Sequence, residues 1–278
     1  MKNRSVFITG ASSGIGRASA LHLNREGFRV FAGVRSIQDA NSLREETFGN
    51  VTPVLLDVTD NRSIIAAVER VTEETGGSLY GLINNAGVGL GGPLELLPDD
   101  KISHLLNVNV LGVVAVTRAL LPLIRNNRGG RIVMISSISG RIALPGLSVY
   151  AASKFALEAL GDALRVELKP FNIDVVLIEP GNVATPIWDK SIADNDAVMA
   201  QADAAVKKLY ANLIQPLNKI AQNPRGIKPE HVAKIVAHVL EVKRPRSRYL
   251  VGKRIWVLWL LSRMPDSIRD WILVRNFT

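Results

Sequence analysis

The chain has 278 residues, 47% hydrophobic and 21% charged, a globular balance with enough apolar material for one large α/β domain. It holds no cysteine, which excludes disulfides, thiolate nucleophiles and cysteine-held metals and fits a reducing compartment. The net charge of +9 is uneven: nine Lys and Arg against Asp266 and Asp270 put +7 between Lys243 and Thr278, so this basic tail bears on location or assembly rather than chemistry, and no nucleic-acid partner is expected.

In chain order, Met1 to Arg4 run straight into an apolar strand over Ser5–Thr9, with no signal-peptide pattern before it, so a cytoplasmic protein is expected. The stretch Thr9-Gly10-Ala-Ser12-Ser13-Gly14-Ile15-Gly16 then turns into a helix over Gly14–Arg25. Glycines let the backbone turn sharply and approach a phosphate, and the helix N-terminus offers amide donors and a positive dipole. A tight strand-to-helix turn alone also calls for glycine.

A second strand, Arg29–Val34, ends in Arg35-Ser36, where NAD-binding folds place an acid for the ribose and NADP-binding folds an Arg for the 2′-phosphate. No acid stands there, Asp39 lying further on, so NADP(H) is favoured over NAD(H); a plain surface charge is the other reading of Arg35. A third strand spans Val51–Leu56 with Asp57 at its end, a cofactor contact or a cap for a helix over Arg62–Glu74. A fourth, Leu79–Ile83, leads into Asn84-Asn85-Ala86-Gly87, whose asparagines touch a cofactor or pin the turn.

A helical pattern over Lys101–Arg125 carries Asn109, a poor helix former whose presence implies a job such as holding a water or bending the helix. The apolar strand Gly130–Ile135 ends in Ser136-Ser137, hydroxyls for a substrate oxygen or for capping. A helix over Val149–Leu168 sets Tyr150 and Lys154 four apart on one face. An adjacent ammonium favours the phenolate, which makes the pair an acid/base for carbonyl chemistry; the same spacing also arises on solvated helix faces.

A sixth strand covers Ile173–Ile178 and a seventh Arg248–Val251, the alternation of a doubly wound parallel sheet. Between them Thr185–Lys228 breaks the rhythm at the carboxyl edge, as a substrate lid or as a helix pair that completes the core. Residues 1–254 are thus one catalytic unit with a lid over 185–228, and 255–278 are a tail.

The tail holds Trp256, Trp259 and Trp271 among its basic residues, and Ile268, Trp271 and Ile272 share a helical face. It either lies peripherally in a membrane interface or packs against the lid or a neighbouring subunit. Its longest apolar run, Ile255–Leu261, is seven residues, against the ~20 of a membrane span. His22, His104, His231 and His238 are scattered without a second ligand at metal spacing, so no metal is assigned.

Together, Thr9–Gly16, Asn84–Gly87, Asn109, Ser137, Tyr150-Ala-Ala-Ser-Lys154 and Pro180-Gly181 resemble the short-chain dehydrogenase/reductase family in order and spacing, with Ser137 and Tyr150 thirteen positions apart. The likeness is firm over 5–185. It implies a Rossmann-type sheet of about seven strands in the order 3-2-1-4-5-6-7. It also implies a tetrad: Tyr150 as acid/base, Lys154 lowering its pKa and binding the nicotinamide ribose, Ser137 orienting the substrate oxygen, and Asn109 holding a relay water.

The implied cofactor surface adds Gly10, Ser12, Ser13, Gly14, Ile15, Gly16, Arg35, Asp57 and Val58 to Asn85, Ala86, Gly87, Pro180, Gly181, Val183 and Thr185. Asp57 would neighbour the adenine and Thr185 the nicotinamide amide. Val30–Arg35, Tyr80–Asn85 and Glu179–Asn182 are most similar to the retinol and 17β-hydroxysteroid dehydrogenase branch. That implies a bulky apolar alcohol or carbonyl as substrate and a homodimer or homotetramer. The alternatives are a silent NADP(H) sensor or scaffold, and a reductase of small or acyl-thioester-linked ketones.

Overall fold

The protein is described by a computed structural model, which covers residues 4–188 and 226–277 together with 205, 208–210 and 212. Seven strands, β1 (Ser5–Ile8), β2 (Arg29–Val34), β3 (Val51–Leu55), β4 (Gly81–Asn84), β5 (Gly130–Ile135), β6 (Ile173–Pro180) and β7 (Arg248–Val251), form one parallel sheet. Its order is β3-β2-β1-β4-β5-β6-β7, as the family resemblance implied. Order reverses between β1 and β4, and a crevice outside the carboxyl ends opens at such a reversal.

Successive side chains alternate faces, so each strand feeds two cores. Val6 and Ile8 pack under α1 (Gly14–Arg25) and α2 (Ile37–Glu46) with the later helix that starts at Pro229, while Phe7 faces α3 (Asn61–Thr75) and its neighbours. All six residues of β5 are buried, which accounts for its unbroken apolar spelling.

The single helix read over Lys101–Arg125 is three pieces: α4 (Asp99–Leu106), a π-turn over Asn107–Leu111, and α5 (Gly112–Asn126). By length and composition the run Asp99–Asn126 could cross a membrane, but half of its apolar window is buried against the sheet. Helix α6 (Ser148–Glu167) carries the Tyr150–Lys154 pair, and α7 (Pro229–Glu241) starts on a proline whose missing N–H costs nothing in a first turn.

The tail forms α8 (Ile255–Leu261) and α9 (Asp266–Phe277). Ile255, Leu261 and Leu273 are buried against Ile138 and Ile142, so its inner face docks on the segment that follows β5. Its outer face leaves Trp256, Trp259 and Trp271 exposed.

The expected lid lies largely outside the described residues. Its two ends are stitched together, because Ala184 N–H donates to the Ile227 carbonyl at 3.0 Å and Ile227 N–H to the Asn182 carbonyl at 3.0 Å. Within it, Tyr210 Oη donates to Glu95 Oε2 at 2.6 Å, across from the segment that follows β4.

Candidate active site

The turn after β1 is built around close backbone approaches. Gly10 and Gly14 sit at φ of +66° and +53°, where an L side chain is strained. A Cβ at Gly16 would fall 2.1 Å from the Gly10 carbonyl oxygen, so only glycine lets α1 start this near the strand. The carbonyls of Thr9 and Gly10 accept from Asn85 Nδ2 at 2.9 and 3.0 Å, and Thr9 Oγ1 accepts from the Asn85 and Ala86 amides at 3.0 and 2.9 Å. The Asn85 side chain therefore pins the turn, laced to β4.

Ser13 caps α1 without a side-chain hydrogen bond, and no acid stands in the first turn. The helix thus presents amide donors and an uncompensated positive dipole at Ser12, Ser13, Gly14 and Ile15, which fits an anion. Thr185 returns from β6 onto this turn, since a Cβ at Gly14 would lie 3.0 Å from its Cγ2. Gly181 is held at the edge by its N–H to the Val251 carbonyl, 2.9 Å, and Val183 is buried in the core beneath.

Arg35 is exposed at the end of β2. Asp39 is occupied with Ser36, whose hydroxyl donates to its Oδ2 at 2.7 Å and accepts from its N–H at 3.1 Å. Asp57 does not cap α3; Asp60 does, accepting from the Arg62 and Ser63 amides. Asp57 accepts instead from Thr59 Oγ1 at 2.7 Å and Thr59 N at 2.9 Å. Those bonds, then the Arg35 and His104 charges, hold its carboxyl below the usual range against the upward push of partial burial. Val58 next to it is turned inward, packed on Gly112.

At the other side of the reversal, Asn109 is buried on the π-turn. Its Oδ1 accepts from Val88 N at 2.8 Å, and its Nδ2 donates to the Val88 carbonyl at 3.0 Å and Ser153 Oγ at 3.1 Å. Ser153 Oγ in turn donates to the Tyr150 carbonyl at 2.7 Å. The asparagine thus sits on a distorted turn and ties α6 to the strand end; of the two jobs expected for it, its amide is spent on this tie. Such π-turns cluster at functional sites. Ser153 and Val88 are partners that sequence reasoning missed, because hydrogen bonds to backbone leave no spacing signature.

Ser137 is buried at the end of β5, where its Oγ accepts from Ser139 N at 3.1 Å and hydrogen-bonds the Tyr150 side chain. Lys154 Nζ lies 5.7 Å from the Tyr150 ring centroid and donates to the Ile135 carbonyl at 3.1 Å. In this structure burial outweighs the lowering of the Tyr150 pKa expected from Lys154. Burial pushes the phenol up to about 12, opposed by the Ser137 hydrogen bond, and burial brings Lys154 down to about 8, opposed by Glu158. The ammonium lies against the ring, and both groups are shifted toward neutrality. The site accordingly holds a protonated phenol at neutral pH.

The elements that the sequence singled out therefore converge on one carboxyl edge: the glycine turn with its anion-ready helix end, Asn85 to Gly87, and the Ser137–Tyr150–Lys154 group with Asn109 behind it.

Comparison with known proteins agrees with this geometry. A family model described as short chain dehydrogenase matches residues 4–196. Mouse retinol dehydrogenase 5 is 36% identical over 97% of this chain and 89% of its own length, and bovine 17-beta-hydroxysteroid dehydrogenase type 6 is 37% identical over 100% and 90%. The solved short-chain dehydrogenase from Streptomyces avermitilis superposes with a TM-score of 0.82, at 27% identity, over 100% of this chain and 99% of that one. The chain belongs to the short-chain dehydrogenase/reductase family, on the branch of the retinol and 17-beta-hydroxysteroid dehydrogenases, and is an oxidoreductase of CH–OH groups that works with NAD(P).

Proposed function

We propose that this protein interconverts a bulky apolar alcohol and its ketone or aldehyde with NADP(H), using Tyr150 as the proton donor and acceptor. The observation that carries the reading is the buried Tyr150 hydroxyl, hydrogen-bonded to Ser137 and flanked by Lys154, at the same sheet edge as the glycine turn. The residues fit a dinucleotide: a cradle that a Cβ at Gly16 would fill, a helix end without an acid, and a lysine with, among the described residues, one hydrogen bond for its three donors. A bound NADP(H) supplies hydride transfer at the carbonyl carbon.

In the reductive direction the protonated Tyr150 hydroxyl donates to the substrate oxygen while Ser137 donates a second hydrogen bond that orients it. Lys154 would hold the cofactor ribose with its remaining donors, and its charge stabilises the phenolate left behind. With both Asn109 amide protons already spent, a relay water would sit on its main-chain carbonyl or the second lone pair of Oδ1. Arg35 supplies the charge for a 2′-phosphate. Gly10, Ser12, Ser13, Gly14, Ile15 and Gly16 would cradle the pyrophosphate, Asp57 and the Val58 main chain would neighbour the adenine, and Asn85–Gly87, Pro180, Gly181, Val183 and Thr185 would close the nicotinamide side.

The likeness to retinol and hydroxysteroid dehydrogenases favours an apolar substrate over a small or thioester-linked ketone. Residues 1–254 form the catalytic unit, with 185–228 as its lid; the Tyr210–Glu95 hydrogen bond supports a lid that spans the edge. An exposed apolar stripe on α6, Ala152, Phe155, Ala159 and Val166, supports a homo-oligomer. The outer face of the 255–278 tail supports peripheral contact with anionic membrane.

The test is Tyr150→Phe, assayed with NADPH and NADP across steroids, retinoids and short ketones. Turnover should fall by about 10²-fold or more with NADPH affinity nearly unchanged, since only the proton donor is lost. Retention of most activity would reassign the acid/base. NADPH binding by the wild type with no turnover on any substrate would instead make the protein a sensor.

A further inference from the structure

Behind the Tyr150–Lys154 pair lies a buried group of charges outside the reaction described above. Glu158 follows Lys154 by one helical turn on the same face of α6 and is 6% exposed; Glu179, near the end of β6, is 1% exposed. Two arginines bridge them. Arg141, from the turn after Ser137, lies 3.4 Å from Glu158 and 2.8 Å from Glu179. Arg248 of β7 lies 3.0 Å from Glu158 and 3.3 Å from Glu179, and reaches Asp162 at 2.7 Å.

Burying two carboxylates this close together is costly unless each is paired, and the two guanidinium groups supply that pairing. The pairing is uneven. One Glu158 oxygen, Oε2, meets both arginines, whereas Oε1 is buried beside the Ser136 hydroxyl. A hydrophobic residue would fill this space without those desolvation costs. What a carboxylate adds there is its charge, one helical turn from the buried Lys154.

We propose that Glu158 is a positioning residue, the counter-charge that keeps Lys154 an ammonium inside the fold, with Arg141 and Arg248 keeping Glu158 itself ionised. The proposal rests on the pairing of Tyr150 with Lys154 put forward above. The groups that face this site are Tyr150, Lys154 and Asp162 from α6, Ser136 just after β5, Arg141, Glu179 from β6 and Arg248 from β7. Burial raises the Glu158 pKa, helped by the like charge of Glu179 and opposed by Ser136, Arg248 and Arg141; Glu158 in turn raises that of Lys154.

The consequence is directional. Lys154 serves as an ammonium, so activity is lost as pH rises through its titration, and removal of the nearest anion brings that loss to lower pH. In full-length protein labelled with 13C-lysine, with the Lys154 resonance assigned through Lys154→Arg, Glu158→Gln should lower the midpoint of the Lys154 titration by about one pH unit. The alkaline limb of the kcat/KM profile should move the same way. Glu179→Gln removes an equal charge from β6 rather than from the turn of α6 that follows Lys154, and should shift the midpoint by less than half as much.

An unchanged Lys154 midpoint in Glu158→Gln overturns the proposal, as does an equal shift in Glu179→Gln. A loss of stability and kcat at constant midpoint would make Glu158 structural only. If Glu158→Gln does not accumulate, Glu158→Asp, which withdraws the charge by one methylene, must shift the midpoint in the same direction by less; no shift refutes the idea. The NMR titration needs no turnover, so retention of activity in Tyr150→Phe would remove the catalytic reading while leaving the Glu158 result to be judged separately.

Discussion

Lys154→Met separates what the buried lysine does for chemistry from what it costs the fold. Burial brings its pKa from an ordinary 10.5 to about 8, and each unit of that gap is worth about 1.4 kcal/mol. The charged form is therefore disfavoured by about 3 kcal/mol in the folded protein at neutral pH. Methionine keeps the unbranched stem out to Cε and discards the ammonium, but forfeits the hydrogen bond to the Ile135 carbonyl, about 1 kcal/mol. The variant should thus be more stable by about 2 kcal/mol at pH 7, about 4–8 °C in Tm for a domain of this size, while losing turnover.

The pH dependence fixes the sign. Below about pH 8 the folded and unfolded chains both carry the proton and the penalty is fully present. Between about 8 and 10.5 only the unfolded chain binds it, so the wild type gains stability as pH rises and the gap to Lys154→Met narrows. Tyr150, held at about 12, contributes with the opposite sign only above pH 10. Urea unfolding of both proteins without cofactor, at pH 7 and about pH 9.5, reads the difference directly. A variant less stable than wild type at pH 7, or a gap constant across this range, would refute the argument that burial penalises this ammonium.

Arg35→Asp should weaken NADPH by about 10–100-fold and improve NADH, measured by fluorescence titration, because it removes the exposed cation at the end of β2 and installs an acid. An unchanged preference would move the phosphate contact elsewhere. Trp256→Ser combined with Trp271→Ser should reduce sedimentation with anionic-lipid vesicles by about tenfold without altering kcat, the remaining attraction being salt-sensitive. Loss of turnover instead would make the tail a wall of the substrate site.

The sequence carried the reaction type, because the groups involved have strict local demands. The Gly10–Gly16 turn is spelled in glycine since two positions take positive φ and a third admits no Cβ. The central strands β4, β5 and β6 are legible since burial on both faces requires near-continuous apolar spelling. Tyr150 and Lys154 sit on one helix, so their spacing alone placed them together.

Only the tertiary structure decided the electrostatics. Spacing argued for a phenol with a lowered pKa; the fold buries both partners, sets the ammonium against the ring, and burial prevails. The fold also gave the cap of α3 to Asp60 instead of Asp57, gave Asn85 to the turn, and split one helical pattern at Asn109. The Glu158–Arg141–Glu179–Arg248 group was not legible, since it joins residues up to 107 positions apart from four elements. Local sequence fixes what a backbone segment can adopt, whereas the charge state of a side chain depends on everything packed around it.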